Sequence, residues 1–193
     1  MKRRNELRLI IGYAILIALT IVCGEISNFV VIGTVNINLA LVPIVVGACL
    51  YGPLCGLVLG CVDGIVIILA PATLTTFFQF SPFVTIVCCL TKTGLAGFFS
   101  GVIYEKFSQP KNAVKDTVVS TISSLIVPII NTGIFLIFVF TVFLPLYESW
   151  MPEGYSGDIL SFVMSITITT NFLIEFIVCL ILSPTIHRLL VLA

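Results

Sequence analysis

Long apolar runs separated by short polar stretches dominate the chain, and this pattern predicts six transmembrane helices. The second and third predicted helices are shorter than the roughly 20 residues that usually span a bilayer, and we expect Gly52-Pro53 to form the hinge between them. Pro128 is expected to interrupt the fifth helix, and Ser183-Pro184 to break the sixth. The prediction is an all-α membrane protein with a single domain over residues 1–193. The six predicted helices are Arg8–Glu25, Leu39–Tyr51, Leu54–Leu69, Pro82–Tyr104, Val114–Phe143 and Ile159–Leu190.

Basic residues gather at one set of helix ends, which predicts the orientation of the chain. Because cytoplasmic connections carry the excess of Lys and Arg, both termini are predicted to be cytoplasmic. The three connections at the opposite ends, Ser27–Asn38, Pro71–Ser81 and Pro145–Asp158, are rich in aromatic, amide and hydroxyl residues, and we expect a ligand to arrive there. Of the nine basic residues, eight lie on the predicted cytoplasmic side: Lys2, Arg3, Arg4, Arg8, Lys106, Lys111, Lys115 and Arg188.

Composition indicates that lipid surrounds this chain. Of the 193 residues, 59% are hydrophobic and 9% are charged, with a mean hydropathy of +1.24. A soluble domain carries about 25% charged residues, so this chain lacks the polar surface to cover itself. The N-terminal sequence MKRRNELRLI resembles the start of a signal peptide, but the apolar run that follows has no cleavage-site pattern. We therefore expect a retained first helix.

Four ionisable residues lie in or beside the predicted spans, where a charged side chain costs about 2.5–3.5 kcal/mol on insertion. Asp63, Lys92 and Glu175 fall inside helices, and Glu25 falls at the outer end of the first helix. One interpretation is a structural ion pair of Lys92 with Asp63 or Glu175. The other is that Lys92 presents its ammonium group to an anionic ligand at the base of a cavity. The two interpretations are compatible if the ligand competes for the pair or completes it.

Amide side chains supply the other candidates for ligand contact. Asn171 precedes Glu175 by four residues, so both face one side of their helix. The amides of the outer loops are placed to close over a ligand, although turn or capping roles are the alternative for such residues. An interhelical hydrogen bond is the alternative for Asn131. Together with Lys92 and Glu175, the candidates for substrate binding are Asn36, Asn38, Gln79, Asn131 and Asn171.

Several kinds of chemistry find no support in the sequence. The seven cysteines lie in apolar runs with no CxxC pair and no Cys/His cluster, which argues against a metal site. A nucleotide-binding loop, a Ser/His pair and a protease signature are all lacking, so we predict neither an enzyme nor a nucleic-acid partner. Trp150 is interpreted as an anchor at the membrane interface.

Five segments of the chain point to a known family. They are the small-residue strip from Ala14 to Ala18, NINLALVPIVVGACLYGPLCGLVLGCVDG, PFVTIVCCLTKTGLAGFFSGVIYEK, PIINTGIF and NFLIEFIVCLILSPTIHRLL. On these segments the chain resembles a substrate-binding S component of an energy-coupling factor (ECF) importer, an ABC-type vitamin transporter. The resemblance implies a multi-pass protein of the bacterial inner membrane, with six helices and an outward-facing vitamin pocket. The pocket would be capped by the loops after the first and third helices.

The resemblance also implies partners. It implies no cofactor in this chain, because ATP is used by two partner ATP-binding cassette ATPases. A membrane coupling subunit joins these ATPases to the S component. Ala14 and Ala18 would contact that subunit, since small residues four apart let another helix approach closely. Packing within the chain is the alternative role for this strip.

The expected vitamin is pantothenate. The chain is most similar to pantothenate-type S components through its NTGIF segment and its Asn-Ile-Asn-Leu sequence. Pantothenate is a small acid with an amide and hydroxyl groups, which one cation, Lys92, and the amides of Asn131 and Asn171 would suit. Folate or another vitamin is the alternative ligand. An ion-coupled secondary carrier that uses Asp63 and Glu175 as a relay is the alternative mechanism, and a membrane scaffold without a ligand is a third.

Overall fold

A computed structural model describes residues 2–29, 31–32, 35–36, 38–109, 112–152 and 154–192. Lys111, one of the basic residues of the predicted charge pattern, lies outside these residues. In chain order the elements are α1 (Lys2–Ser27), β1 (Val31–Ile32), β2 (Val35–Asn36), α2 (Leu41–Tyr51), α3 (Pro53–Leu69), α4 (Pro71–Thr75), α5 (Phe77–Phe80), α6 (Pro82–Phe107), α7 (Ala113–Phe138), α8 (Leu144–Trp150), α9 (Ile159–Met164) and α10 (Leu173–Leu192).

Two π-helical segments each join two α-helices, and only the second pair lies within one helix of the sequence prediction. Val139–Phe143 connects α7 to α8, and Ser165–Phe172 connects α9 to α10. A π-helical turn shifts the residues that follow it around the helix axis, and such turns are frequent at functional sites. The two strands form a short antiparallel hairpin in which Val31 lies opposite Asn36.

The predicted helices are present, but some predicted breaks are wrong. α7 runs straight through Pro128, and α10 runs through Ser183 and Pro184 to Leu192. Pro145 does not begin a loop, because it lies in the first turn of α8, directly after the π-helical segment. The connection Pro71–Ser81 is likewise helical, since it forms α4 and α5.

Within the described residues, three segments are long and apolar enough to cross a membrane: Leu9–Ser27, Pro82–Phe107 and Val114–Trp150. α3 and the α4–α5 segment, bent by 57° at their junction, make a fourth if they are counted as one span. α2 has only 11 residues, as the sequence indicates. Six spans and cytoplasmic termini therefore stay predictions.

α3 and α6 pack backbone to backbone, and this contact positions two ionisable residues. Gly60 faces the Thr93 carbonyl of α6 so closely that a Cβ atom at this glycine would collide with it. The Thr93 hydroxyl donates a hydrogen bond of 2.6 Å to the Gly60 carbonyl. Small residues permit such close contact between membrane helices. Asp63 follows Gly60 by one turn of α3, and Lys92 directly precedes Thr93 on α6.

Large apolar side chains cover the outside of the molecule, as expected for a protein in contact with lipid. α1 exposes much of its length, including Ile10 at 63% and Ile15 at 61%. Ala14 and Ala18 are both exposed on α1, so the predicted small-residue strip is accessible to another helix. The main core lies between α2, α3, α6 and α7 and contains Leu41, Ile44, Val45, Leu59, Ala96 and Val127.

Candidate functional site

An internal cavity of about 640 Å³ lies where α1 and α3 end and α6 begins. We call Asn38, Asp63, Asn131 and Glu175 its charged wall, and Phe77, Phe143, Tyr147 and Trp150 its aromatic wall; all eight line the cavity. The cavity is large enough for a ligand of vitamin size, since small-molecule sites span roughly 300–1,000 Å³. Further lining residues include Ser27, Thr73, Thr85, Lys92, Thr132, Phe135 and Phe162.

Asn38 joins the two acidic residues of the charged wall. Its backbone N–H donates to Glu175 Oε1 at 3.1 Å, and its side-chain Nδ2 donates to Asp63 Oδ2 at 2.7 Å. Its Oδ1 accepts from the backbone N–H of Ala40 at 3.0 Å, which turns the chain into α2. A single residue after the hairpin thus links α3 to α10 across the cavity.

The two carboxyl groups of the charged wall are fully buried, with Asp63 0% and Glu175 1% exposed. Buried carboxylates require hydrogen-bond donors, because water no longer solvates them. Glu175 uses both oxygens, since its Oε2 also accepts from Asn131 Nδ2 at 3.4 Å. Asp63 uses only one, and its Oδ1 has no hydrogen-bond partner among the described residues. In the same part of the structure, Asn131 Oδ1 and Thr132 Oγ1 are buried without partners as well.

Lys92 supplies the cation of the cavity. Its Nζ lies 5.3 Å from the centre of the Phe135 ring, a geometry in which the ring face attracts the charge. No described residue forms an ion pair or a hydrogen bond with this ammonium group. The predicted ion pair of Lys92 with Asp63 or Glu175 is therefore not formed, and N–H groups of Asn38 and Asn131 donate to three of the four carboxyl oxygens instead.

Phe77 is the centre of the aromatic wall. Its ring centroid lies 5.1 Å from that of Phe143, 6.5 Å from that of Tyr147 and 5.9 Å from that of Trp150. The Thr85 hydroxyl donates to the Phe77 carbonyl at 2.8 Å and so fixes α5 to α6. Trp150, interpreted from the sequence as an interface anchor, lines the cavity and is 37% exposed.

The structure brings four of the predicted binding residues together around the cavity: Asn38, Lys92, Asn131 and Glu175. Gln79 is exposed on α5 and does not line the cavity, and Glu25 is exposed at the end of α1. The side chains of Asn36 and Asn171 lie outside the described part of the structure.

The sequence prediction omitted the aromatic wall and treated Asp63 as a partner of Lys92. A helical pattern in the third outer connection would have indicated the wall. Phe143 and Tyr147 are four residues apart, and Trp150 follows three residues later, so the three rings share one face of a helix. Interpreting Pro145 as a helix break concealed this spacing.

A mainly helical protein with several segments apolar enough to cross a membrane and a cavity of charged and aromatic side chains is typical of small-molecule transporters and their binding subunits. Residues 10–191 match the family described as thiamine transporter protein (Thia_YuaJ). The chain belongs to this family. Neither the curated proteins nor the solved structures contain a significant match.

The family match confirms the expectation of a vitamin transporter, but it does not support the vitamin that we predicted. Pantothenate as the vitamin is not supported, because the matching family is one of thiamine transporter proteins. The NTGIF segment and the Asn-Ile-Asn-Leu sequence therefore do not identify the vitamin. A transporter family also agrees with the prediction that the protein is not an enzyme.

Proposed function

We propose that the protein is the substrate-binding S component of an ECF-type importer and that its vitamin is thiamine. The observation that carries the choice of vitamin is the charge of the cavity. Two carboxyl groups, Asp63 and Glu175, face one ammonium group, Lys92, which leaves a formal charge of −1 when all three are ionised. Opposite charges attract strongly in a site of low dielectric constant. The cavity therefore suits a ligand with one positive charge.

Thiamine has the chemistry that these walls would recognise. It carries a permanent positive charge on its thiazolium ring and has a second, aminopyrimidine ring. Aromatic side chains attract cations and stack on flat rings, which is what the aromatic wall offers. Pantothenate is an aliphatic anion and folate carries two carboxylates, so both would add negative charge beside Asp63 and Glu175.

The partners are those of the S-component mechanism. The chain would deliver thiamine across the bacterial inner membrane together with a membrane coupling subunit and two ATP-binding cassette ATPases. Ala14 and Ala18 are exposed on α1, which leaves them free to contact the coupling subunit. The chain itself would bind the vitamin and hydrolyse no ATP.

Fluorescence of the single tryptophan tests the ligand directly. Trp150 is the only tryptophan of the chain and it lines the cavity, so we expect thiamine to quench its emission in a saturable manner. Pantothenate and folate should leave the emission unchanged at the same concentrations. The matched control is Trp150→Phe, which should abolish the signal while calorimetry still detects thiamine binding.

Transport assays separate an S component from an ion-coupled carrier. In proteoliposomes, the chain with its coupling subunit and ATPases should take up labelled thiamine only when ATP is supplied. The chain alone should take up none under a proton or sodium gradient. Gradient-driven uptake by the chain alone would refute the S-component role, and absence of thiamine binding would refute the choice of vitamin.

A further inference from the structure

Ser27, the last residue of α1, holds the chain directly after Asn38. Its hydroxyl accepts a hydrogen bond from the backbone N–H of Leu39 at 2.9 Å and donates one to the Cys23 carbonyl at 2.7 Å. Ser27 is 6% exposed and lines the cavity. The hydroxyl thus spends its one O–H bond within α1 and accepts from the neighbouring segment, so the turn after Asn38 is fixed to the end of α1.

The end of α1 also packs against the charged wall directly. At Gly24, an added Cβ atom would lie 2.9 Å from Val66 and 3.5 Å from Asp63 Oδ1, so α1 and α3 approach each other closely here. Gly24 and Ser27 are three residues apart and therefore share one face of α1. This face is the base on which the segment with Asn38 rests beside Asp63.

The donors of Asn38 keep the two carboxyl groups away from another partner. Asn38 donates to Glu175 through its backbone N–H and to Asp63 through its side chain. The ammonium of Lys92 lines the same cavity and has no hydrogen bond or ion pair with a described residue. Opposite charges attract strongly where water is excluded. Without Asn38, Lys92 would be available to pair with the carboxyl groups and to neutralise the charge that attracts a cationic ligand.

We propose that Ser27 is a positioning residue of the binding site, whose hydroxyl holds Asn38 against the two carboxyl groups and so keeps them from pairing with Lys92. This inference rests on the proposed function. Alanine in place of Ser27 would leave the Leu39 N–H without its acceptor, and a polar group that loses its partner away from water destabilises the arrangement that contains it. Threonine would keep the hydroxyl.

Calorimetry with thiamine, on the full chain in lipid nanodiscs, measures the effect of this hydroxyl. Ser27→Ala should weaken thiamine binding by about tenfold, and Ser27→Thr should bind within about twofold of the wild type. Ser27→Cys keeps the shape of serine, but a thiol is a weak donor and acceptor, so this variant should resemble Ser27→Ala. It replaces Ser27→Ala in every comparison if the alanine variant does not fold.

The matched control is Ser124→Ala on α7. Ser124 is 0% exposed, and its hydroxyl donates to the Ser120 carbonyl one turn earlier at 2.8 Å, as the Ser27 hydroxyl does to Cys23. Ser124 does not line the cavity. The same serine-to-alanine change at this position should therefore leave the affinity for thiamine at the wild-type value.

A comparison with Lys92→Met separates positioning from a general loss of structure. If the carboxyl groups released by Ser27→Ala pair with Lys92, removal of the ammonium frees them again. Lys92→Met should then tighten thiamine binding at least about threefold more in the Ser27→Ala chain than in the wild-type chain. Substitutions that act independently add in free energy, so a merely structural role of Ser27 would give Lys92→Met the same effect in both chains.

Hydrogen exchange of the wild-type chain, followed by mass spectrometry, needs no variant. The Leu39 amide should exchange slowly even without thiamine, because its acceptor on Ser27 is already in place. The inference is overturned if this amide exchanges freely, if Ser27→Ala binds thiamine like the wild type, if Ser27→Thr binds as weakly as Ser27→Ala, or if Lys92→Met acts equally in both chains. A wild-type chain that binds no thiamine would instead refute the proposed function.

Discussion

The charged wall and the aromatic wall of the cavity are assembled in different ways. Hydrogen bonds hold the charged wall, and its longest connection joins Asn38 to Glu175 across 137 residues of sequence. Ring packing holds the aromatic wall, in which Phe77 lies within 7 Å of Phe143, Tyr147 and Trp150. Directional hydrogen bonds specify one arrangement of donors and acceptors, whereas ring contacts tolerate small shifts. The charged wall is therefore suited to selecting a ligand, and the aromatic wall to enclosing it.

The two walls also differ in how they are connected to the fold. The acidic residues lie on the long helices α3 and α10, whereas Phe77 and Trp150 lie on the short helices α5 and α8. The short helices carry few contacts of their own and depend on packing such as the Thr85 hydrogen bond to Phe77. We expect a change in the charged wall to cost more binding free energy than a change in the aromatic wall.

Glu175→Ala should have the largest effect. It removes a negative charge and leaves the Asn38 N–H and the Asn131 amide without their acceptor. Those lost bonds disorder the charged wall, and the lost charge removes an attraction of a few kcal/mol for a cationic ligand at low dielectric constant, so we expect thiamine to bind roughly 30-fold or more weakly. Calorimetry measures this loss of affinity for thiamine. The matched control is Glu148→Ala, since Glu148 is exposed on α8 and does not line the cavity; equal affinities of the two variants would contradict the role of Glu175.

The helices themselves follow from the sequence, because a long continuous run of apolar residues satisfies its own backbone hydrogen bonds in lipid by forming a helix. The end of α3 at Leu69 and the hinge at Gly52 agree with the prediction. The wrong predictions of helix breaks all lie at prolines. At Pro128 and Pro184 the helix continues, and at Pro145 a helix begins. A proline removes one N–H donor, and whether the helix ends there depends on packing that a single sequence does not display.

The sequence predicted several residues of the candidate site, but it did not predict which of their side chains contact each other. Asp63, Lys92 and Glu175 all fall inside predicted helices, and an ion pair among them was one of two interpretations that follow from their charges. Which side chains meet, however, depends on how each helix is rotated about its axis and on where the preceding loop runs. Asn38 enters from the loop before α2 and donates to one oxygen of each carboxyl group, an arrangement that the sequence does not indicate.

Phe77→Ala should have a moderate effect. It removes the ring that contacts the other three members of the aromatic wall, and stacking of one aromatic ring contributes about 1–3 kcal/mol to binding of a flat ring. We expect thiamine to bind roughly tenfold more weakly. Phe83→Ala is the control, because Phe83 is 76% exposed on the outside of α6 and its loss should leave the affinity at the wild-type value. A loss as large as that of Glu175→Ala would remove the proposed difference between the walls.

Lys92→Met should have the smallest effect and the opposite sign. The ammonium of Lys92 shares the cavity with a cationic ligand and has no ion-pair partner among the described residues, so it opposes the positive charge of thiamine. Replacing it with an uncharged side chain of similar length should tighten thiamine binding by about threefold to tenfold, since like charges a few ångströms apart repel by about 1 kcal/mol even in water.

The control for this change is Lys106→Met, which removes the same charge from an exposed position near the end of α6. It should leave the affinity for thiamine unaltered, measured by calorimetry at one ionic strength. If Lys92→Met weakens thiamine binding instead, the ammonium donates a hydrogen bond to the ligand, and Lys92 belongs with the residues that select it. Tighter binding would show that Lys92 limits the affinity of the cavity for a cation, and the choice of a cationic vitamin would rest on the two carboxyl groups alone.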